Sequence, residues 1–479
     1  MKKIFFAGFL VVLAASLLIS SPVLAEEKIT MWARTPETLD ILRDSASSFM
    51  EKNPGTEIEV VDFPADDYPG ALQAAITGDN LPDIFHTHSS VPLPRLEELG
   101  KIQPIGPYFS EGFIEQFDEA AWFEGSTTLG GEIYAWPDRT SRRASLFMYY
   151  NKNVMRDAGL DPEAPPANWD ELIQQGQQVN QETGLFGLHL GFTSSWFNER
   201  VILQFATTVA EDTGVPSEHF ENRFINWKKG DMFDYESIFP VMDFFKEMEE
   251  AGAIHPNYIT AGRSQAAAQW ASGQAAFLID GSWRLQEIIL DYQEEYDLDF
   301  GIAMLPGKEL DVAYWGVEGG SPNSFVVSES SENVELAVEF FEYLTKEYYP
   351  VLIQRAMDLT PVPAINEDEA NYVYPKFREL VELTNQGTKT LPAPQRESID
   401  ELQTITNLAG MRSSEPLGPT LQGYLAGERI DLEEYLKRYS DEQQEFLERA
   451  LEEAKAEGAD VSMDNWIYED WDKSEDYVH

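Results

Sequence analysis

The chain has 479 residues, no cysteine and a formal net charge of −50, from 84 Asp and Glu against 34 Lys and Arg. A hydrophobic content of 43% with 12% aromatics is enough to bury a sizeable core, which excludes wholesale disorder. The missing cysteine removes disulfides, thiolate zinc sites and cysteine nucleophiles together, and the charge repels nucleic acid and anionic membranes.

The first 25 residues read as an export signal. Lys2 and Lys3 form a positive start, Ile4 to Ser20 is a continuous apolar run, and Pro22 breaks it. Val23-Leu24-Ala25 then places small residues where a signal peptidase reads. Cleavage after Ala25 is expected, with no cysteine there to carry a lipid anchor. Losing Lys2 and Lys3 leaves 32 bases against 84 acids, or −52. Such charge is tolerated best where salt screens self-repulsion, the Debye length falling to about 3 Å at 1 M. We therefore expect an acidic, halophilic-type protein, periplasmic or extracellular.

In chain order, "KITMWA" alternates Ile29, Met31 and Ala33 against Lys28, Thr30 and Trp32 and predicts a strand. A helix over "PETLDILRDSASSFMEK" carries Leu39, Ile41, Leu42, Phe49 and Met50 as its stripe, stopped by Gly55. "TEIEVVDF" is a second strand, "YPGALQAAITGDN" a helix and "LPDIFHTH" a third strand. Strand, helix, strand, helix, strand predicts an open α/β sheet with parallel strands. Further on, Asn151 caps a short helix ended by Gly159, and Asn168 with Glu171 forms a capping box. "GLFGLHLG" and "FGIAMLPG" predict strands, and "QAAAQWASGQAAFLIDGSW" a helix, a turn at Gly273 and a strand. Everything after "TPVPAI" reads as helical, with an acidic, aromatic extension from about 457 that packs through Trp466, Tyr468 and Trp471 or stays loose.

Four stretches in order, "GDNLPDIFHTHSS", "GEIYAWPDRTSRRASLFMYYNKNVMRDAGLDPEAPPANWDELI", "WASGQAAFLIDGSW" and "GGSPNSFVVS…AVEFFEYLT", resemble the extracellular solute-binding proteins, family 1, of sugar ABC importers (the maltose-binding-protein-like group). The resemblance spans about residues 26 to 450 and weakens between Ser194 and Gln265. It implies a periplasmic-binding-protein-like fold, α/β, with two lobes, a hinge of three crossings and a cleft between them. The implied boundaries are 1–25 for the signal, 26–143 and 318–361 for the first lobe, and 144–317 and 362–479 for the second. "LFMYYNK" would then be a strand shared with the first crossing. The implied function is capture of a mono- or oligosaccharide and delivery to the membrane permease subunits of an ABC transporter, by a monomer without cofactor or metal.

A sugar needs flat apolar surfaces for its C–H faces and donors or acceptors for its hydroxyl rim. Trp283 in "IDGSW" follows a predicted strand and a glycine, which places it at the carboxyl edge of a sheet, where open α/β sheets bind ligands. The resemblance puts a sugar-stacking residue there as well. Trp315, Glu318 and Gly319 in "YWGVEGGSPNS" are the next candidates, then Trp196 in "FTSSW", and in the first lobe Arg34 and Thr35 after strand one and His88 and Ser89 after strand three. Arg142 and Arg143 are expected to pair with local acids. The overall charge predicts an uncharged polyol. No Gly-x-Ser-x-Gly, His-Glu-x-x-His or phosphate-binding loop occurs. A secreted glycosidase or lyase remains the alternative: it would turn sugar over, whereas a carrier binds it unchanged.

Overall fold

The computed structural model describes residues 27–34, 36–64, 67–142, 146–217, 219–220, 223–320 and 324–478, so the expected export signal lies outside it. The strands in chain order are β1 (Glu27–Ala33), β2 (Thr56–Asp62), β3 (Ile84–His86), β4 (Ile102–Gln103), β5 (Thr128–Leu129), β6 (Glu132–Ile133), β7 (Ala135–Pro137), β8 (Leu146–Asn151), β9 (Phe186–His189), β10 (Ala275–Gly281), β11 (Phe300–Met304), β12 (Trp315–Val317), β13 (Ser324–Ser328) and β14 (Thr388–Thr390). Ten of them form two large sheets, one in each of two α/β lobes, while β5 with β6 and β12 with β14 form two-stranded pairs.

The first sheet has the order β2-β1-β3-β13-β4, with β7 also on β13. Its alternation follows from the sequence: Ile29, Met31 and Ala33 are fully buried under the helix Pro36–Lys52, through Leu42 and Phe49. The long helix Val334–Gln354 covers the same face, and Trp136 is buried there between Phe341 and Tyr349 at 5.4 and 5.0 Å. Its indole N–H donates to Thr345 Oγ1 at 3.1 Å, so the burial leaves no orphaned donor. Strands β1, β2 and β3 are parallel, as expected, but β13 runs antiparallel to β3, β4 and β7. The sheet is therefore mixed. β13 re-enters from the other lobe, and an antiparallel neighbour needs no crossover helix.

The second sheet has the order β11-β8-β10-β9, with β8 antiparallel to both its neighbours and β9 parallel to β10. β8 and β10 are buried along their whole length. That suits their continuous apolar runs. β8 lies wholly in this sheet; it is not shared with the crossing, because every residue from Leu146 to Asn151 has a partner on β10 or β11. Asn151 Oδ1 accepts from the N–H of Asn153 and Val154, and Gly159 ends that helix at φ +72°. The second box also forms: Asn168 Oδ1 accepts from the Glu171 N–H at 2.9 Å while Glu171 accepts from the Ala167 N–H. Gly187 of β9 lies so close to the helix Trp169–Thr183 that a Cβ there would sit 2.3 Å from Gly176 Cα. Only paired glycines permit this contact.

The chain passes between the sheets three times: from β7 to β8, from β11 to β13, and from the helix Val334–Gln354 to the helix Pro375–Gly387, which packs on β11. Between the last passage and the tail lies an unexpected strand, β14, which pairs in parallel with β12. A three-residue strand carries no readable period, so its partner had to come from elsewhere in the chain.

The acidic extension packs. Trp466, Tyr468 and Trp471 are all nearly fully buried against Phe220, Trp227 and Leu447. Trp466 stacks on Trp227 at 6.0 Å and its N–H donates to Glu401 Oε2. Lys473 reaches inward to the carbonyls of Thr207 and Ala210. Trp466→Ala should therefore lower the free energy of urea unfolding by about 3–5 kcal/mol, and an unchanged midpoint would show that the tail is not part of the folded unit.

Candidate functional site

Topology, rather than proximity in sequence, assembles the second lobe's wall. β9 and β10 are parallel, so their carboxyl ends share one edge. Trp283 follows β10 there. Trp196 follows β9 and sits in the first turn of the helix Ser195–Ala206. Arg200 lies four residues further on, which puts it on the same helix face. The helix Arg263–Ala271 leads into β10 and runs back along it, so its first residue, Arg263, arrives at the same edge.

The result is a cluster of indoles interleaved with guanidinium groups. Trp196 and Trp283 have ring centroids 5.9 Å apart, Trp196 being 40% exposed and Trp283 half-buried. Arg263 lies 4.7 Å over Trp196 and 5.7 Å from Trp283. Arg200 lies 4.2 Å over Trp315 and 5.4 Å from Trp196. Asp280, at the end of β10 and 1% exposed, accepts from the Gly281 N–H, from Trp283 Nε1 at 3.1 Å and from Arg284 Nε at 2.7 Å. It thereby holds the Trp283 indole by its polar edge. Arg263 stays at 3.6 Å from the same carboxylate, outside hydrogen-bond distance. Arg200 and Arg263 were not among the sequence candidates. The Trp196–Arg200 spacing was the readable signal for one; nothing local marks the other.

Trp315 joins this cluster through Arg200 from β12, in the second crossing, although only 3% of it is exposed. Glu318 and Gly319 do not join it. Glu318 is 1% exposed, accepts from Ser217 Oγ and lies 2.7 Å from His219 Nδ1, so its carboxylate is committed inside the protein rather than to the cleft. Gly319, at φ +123°, packs on Phe123. Both line a separate cavity of about 340 Å³ among the three crossings, with Arg139, Arg142 and Thr360. Arg142 does pair with an acid, Asp476 of the tail, at 2.7 Å; Arg143 is outside the described residues.

The first lobe contributes loops at the carboxyl ends of parallel β1 and β3. The Arg34 N–H donates to His86 Nδ1 at 3.3 Å, and His88 and Ser89 are half-buried beyond β3. Thr35 lies outside the described residues. His86 is buried against Phe325 with its Nε2 3.5 Å from Asp138, which pairs with Arg139, and Arg139 reaches Asp358 at 3.2 Å. This buried polar chain ties β3 to the first and third passages. Burial lowers His88 to a pKa of about 4, helped by Arg34 and by Arg412. Arg412 belongs to a loop after the helix Glu401–Ala409, which packs against the first lobe's helix Leu93–Glu98.

The family model for bacterial extracellular solute-binding proteins matches residues 33–347. The chain belongs to this family. It is thus a binding protein rather than an enzyme, of a family that works outside the cell or in the periplasm. Among its relatives, the sn-glycerol-3-phosphate-binding periplasmic protein of Brucella melitensis is 22% identical over 73% of this chain and 78% of its own. An arabinooligosaccharide-binding protein of Halalkalibacterium halodurans is 29% identical over 33% of this chain and 34% of its own. A solved chitin oligosaccharide binding protein superposes with a TM-score of 0.65 at 19% identity, covering 88% of this chain and 99% of that one. That likeness confirms the two-lobe fold.

His86, His88 and His189 all have pKa values near 4 because burial disfavours the imidazolium. In the unfolded chain they take up protons from about pH 6.5 downward. Their contribution to stability is therefore complete above pH 6.5 and is lost as pH falls toward 4. Urea unfolding should show a drop in free energy from pH 7 to pH 5, partly flattened in His88→Gln; equal stability at both values would contradict the assignment of neutral histidines.

Proposed function

We propose that this protein captures a carbohydrate, a mono- or oligosaccharide, between its lobes and delivers it to the permease subunits of an ABC importer. The observation that carries this reading is the group of three indoles: Trp196 and Trp283 at one sheet's carboxyl edge, with Trp315 joining them from β12. Trp196 and Trp283 offer accessible ring surface beside charged donors, the combination a pyranose needs. The names of the arabinooligosaccharide- and chitin-oligosaccharide-binding relatives support it.

On this reading the ring of the sugar rests on Trp283 and Trp196. Trp315, with little exposed surface, backs the site at the second crossing. Arg34, Thr35, His88 and Ser89 close on the sugar from the first lobe. Residues 26–143 and 318–361 form that lobe, and 144–317 with 362–479 form the other. Ligand shifts the population toward the closed form, which the permease recognises. The protein acts as a monomer, exported by cleavage after Ala25 without a lipid anchor, in surroundings salty enough to screen its charge.

Trp283→Ala should weaken saccharide binding by about 1–3 kcal/mol in calorimetry; unchanged affinity with an intact fold removes Trp283 from the site. Lobe closure should also shrink the radius of gyration in solution scattering when a bound sugar is added. An identical scattering curve at saturating sugar would contradict closure.

A further inference from the structure

Guanidinium groups flank the indoles that carry the sugar on this reading. Arg263 is 4.7 Å over Trp196, 5.7 Å from Trp283 and 5.5 Å from Phe197. In a chain with 84 acids a carboxylate partner is the default expectation for such a residue. Among the described residues its carboxylate neighbour is Asp280, and that pairing is poor. The two Asp280 oxygens already accept from Gly281, Trp283 and Arg284, and Arg263 is left at 3.6 Å. A guanidinium lying over a ring face keeps its N–H fork free to point outward, past the ring edge, toward a planar acceptor. The side chain is 27% exposed, so it remains accessible to a ligand.

The opposite wall has the same sign. Arg34 of the first lobe and Arg412 of the second both help hold His88 neutral, and Arg412 donates to the carbonyls of Ala409 and Met411. The chain's overall negative charge does not decide the matter. At physiological salt exposed charges are screened beyond about 8 Å, so the groups beside the ligand outweigh distant ones.

We propose that the captured saccharide is acidic, with a carboxylate on a pyranose ring, and that Arg263 engages this carboxylate while Trp196 and Trp283 carry the ring. This rests on the carbohydrate reading above and narrows it. A planar carboxylate on the sugar matches the guanidinium fork by two parallel hydrogen bonds. A neutral hydroxymethyl group at that place cannot make them. A phosphate on a short acyclic chain offers the indoles no ring face to cover.

The test is calorimetry on the exported chain with matched pairs: galacturonate and galactose, glucuronate and glucose, and the disaccharides of each, with sn-glycerol 3-phosphate as a third arm. For at least one pair the acid should bind about tenfold or more tighter than its neutral counterpart, and the advantage should shrink as salt is raised. Arg263→Met, which keeps the apolar stem, should erase the preference by weakening the acid's binding about tenfold more than that of its neutral counterpart. Arg263→Lys keeps the charge without the fork and should retain part of it, which guards against a folding defect in the first variant. Neutral sugars binding as tightly as the acids, or a preference untouched in both variants, overturns the proposal and leaves the carbohydrate reading standing. Glycerol phosphate outcompeting every saccharide assigns the arginines to phosphate and overturns it too. No binding by any saccharide brings down both readings.

Discussion

One buried carboxylate sets the geometry of the second lobe's wall. Asp280 closes a strand that is buried throughout, and a lone charge in such a place costs several kcal/mol. It is offset by Arg284, by the Gly281 N–H and by the indole N–H of Trp283. Satisfying that charge therefore fixes the rotamer of the indole. Trp283 in turn meets Trp196 and the two arginines. A wall of loop tips would otherwise lose rotamer entropy on binding; this one is organised in advance by the core of its own sheet.

The rest of the molecule governs how this wall moves against its partner. The buried series His86, Asp138, Arg139 and Asp358 stiffens the first lobe where two passages leave it. On the other side the tail straps the hinge: Asp476 accepts from Arg142 of the first passage and from the Thr390 N–H of β14, and the Tyr477 N–H donates to the Thr390 carbonyl. β14 pairs with β12, so the strap reaches the second passage as well.

Local chemistry made much of this readable in the sequence. The alternation of Ile29, Met31 and Ala33, the caps at Asn151 and Asn168, and the strand-Gly-Ser-Trp ending at Trp283 each depend on neighbours a few residues away. What escaped depends on distant ones. Arg263 reaches Trp283 only because its helix runs back along β10. Glu318 reads as a cleft acceptor until Ser217 and His219, about 100 residues earlier in sequence, claim its oxygens. β14 is invisible without β12. The tail's aromatic residues showed that it could pack but not on what, since Phe220 and Trp227 supply the surface.

The central claim is that a saccharide is held between the lobes with its ring against the Trp283 and Trp196 faces. A crystal structure of the protein grown with a saccharide that binds it tests this most directly. The account predicts a pyranose ring with carbon atoms about 4 Å from the indole planes and first-lobe residues Arg34 or His88 contacting the same molecule. A sugar seated in the cavity among the three crossings, or on the outer surface with the gap empty, would contradict it.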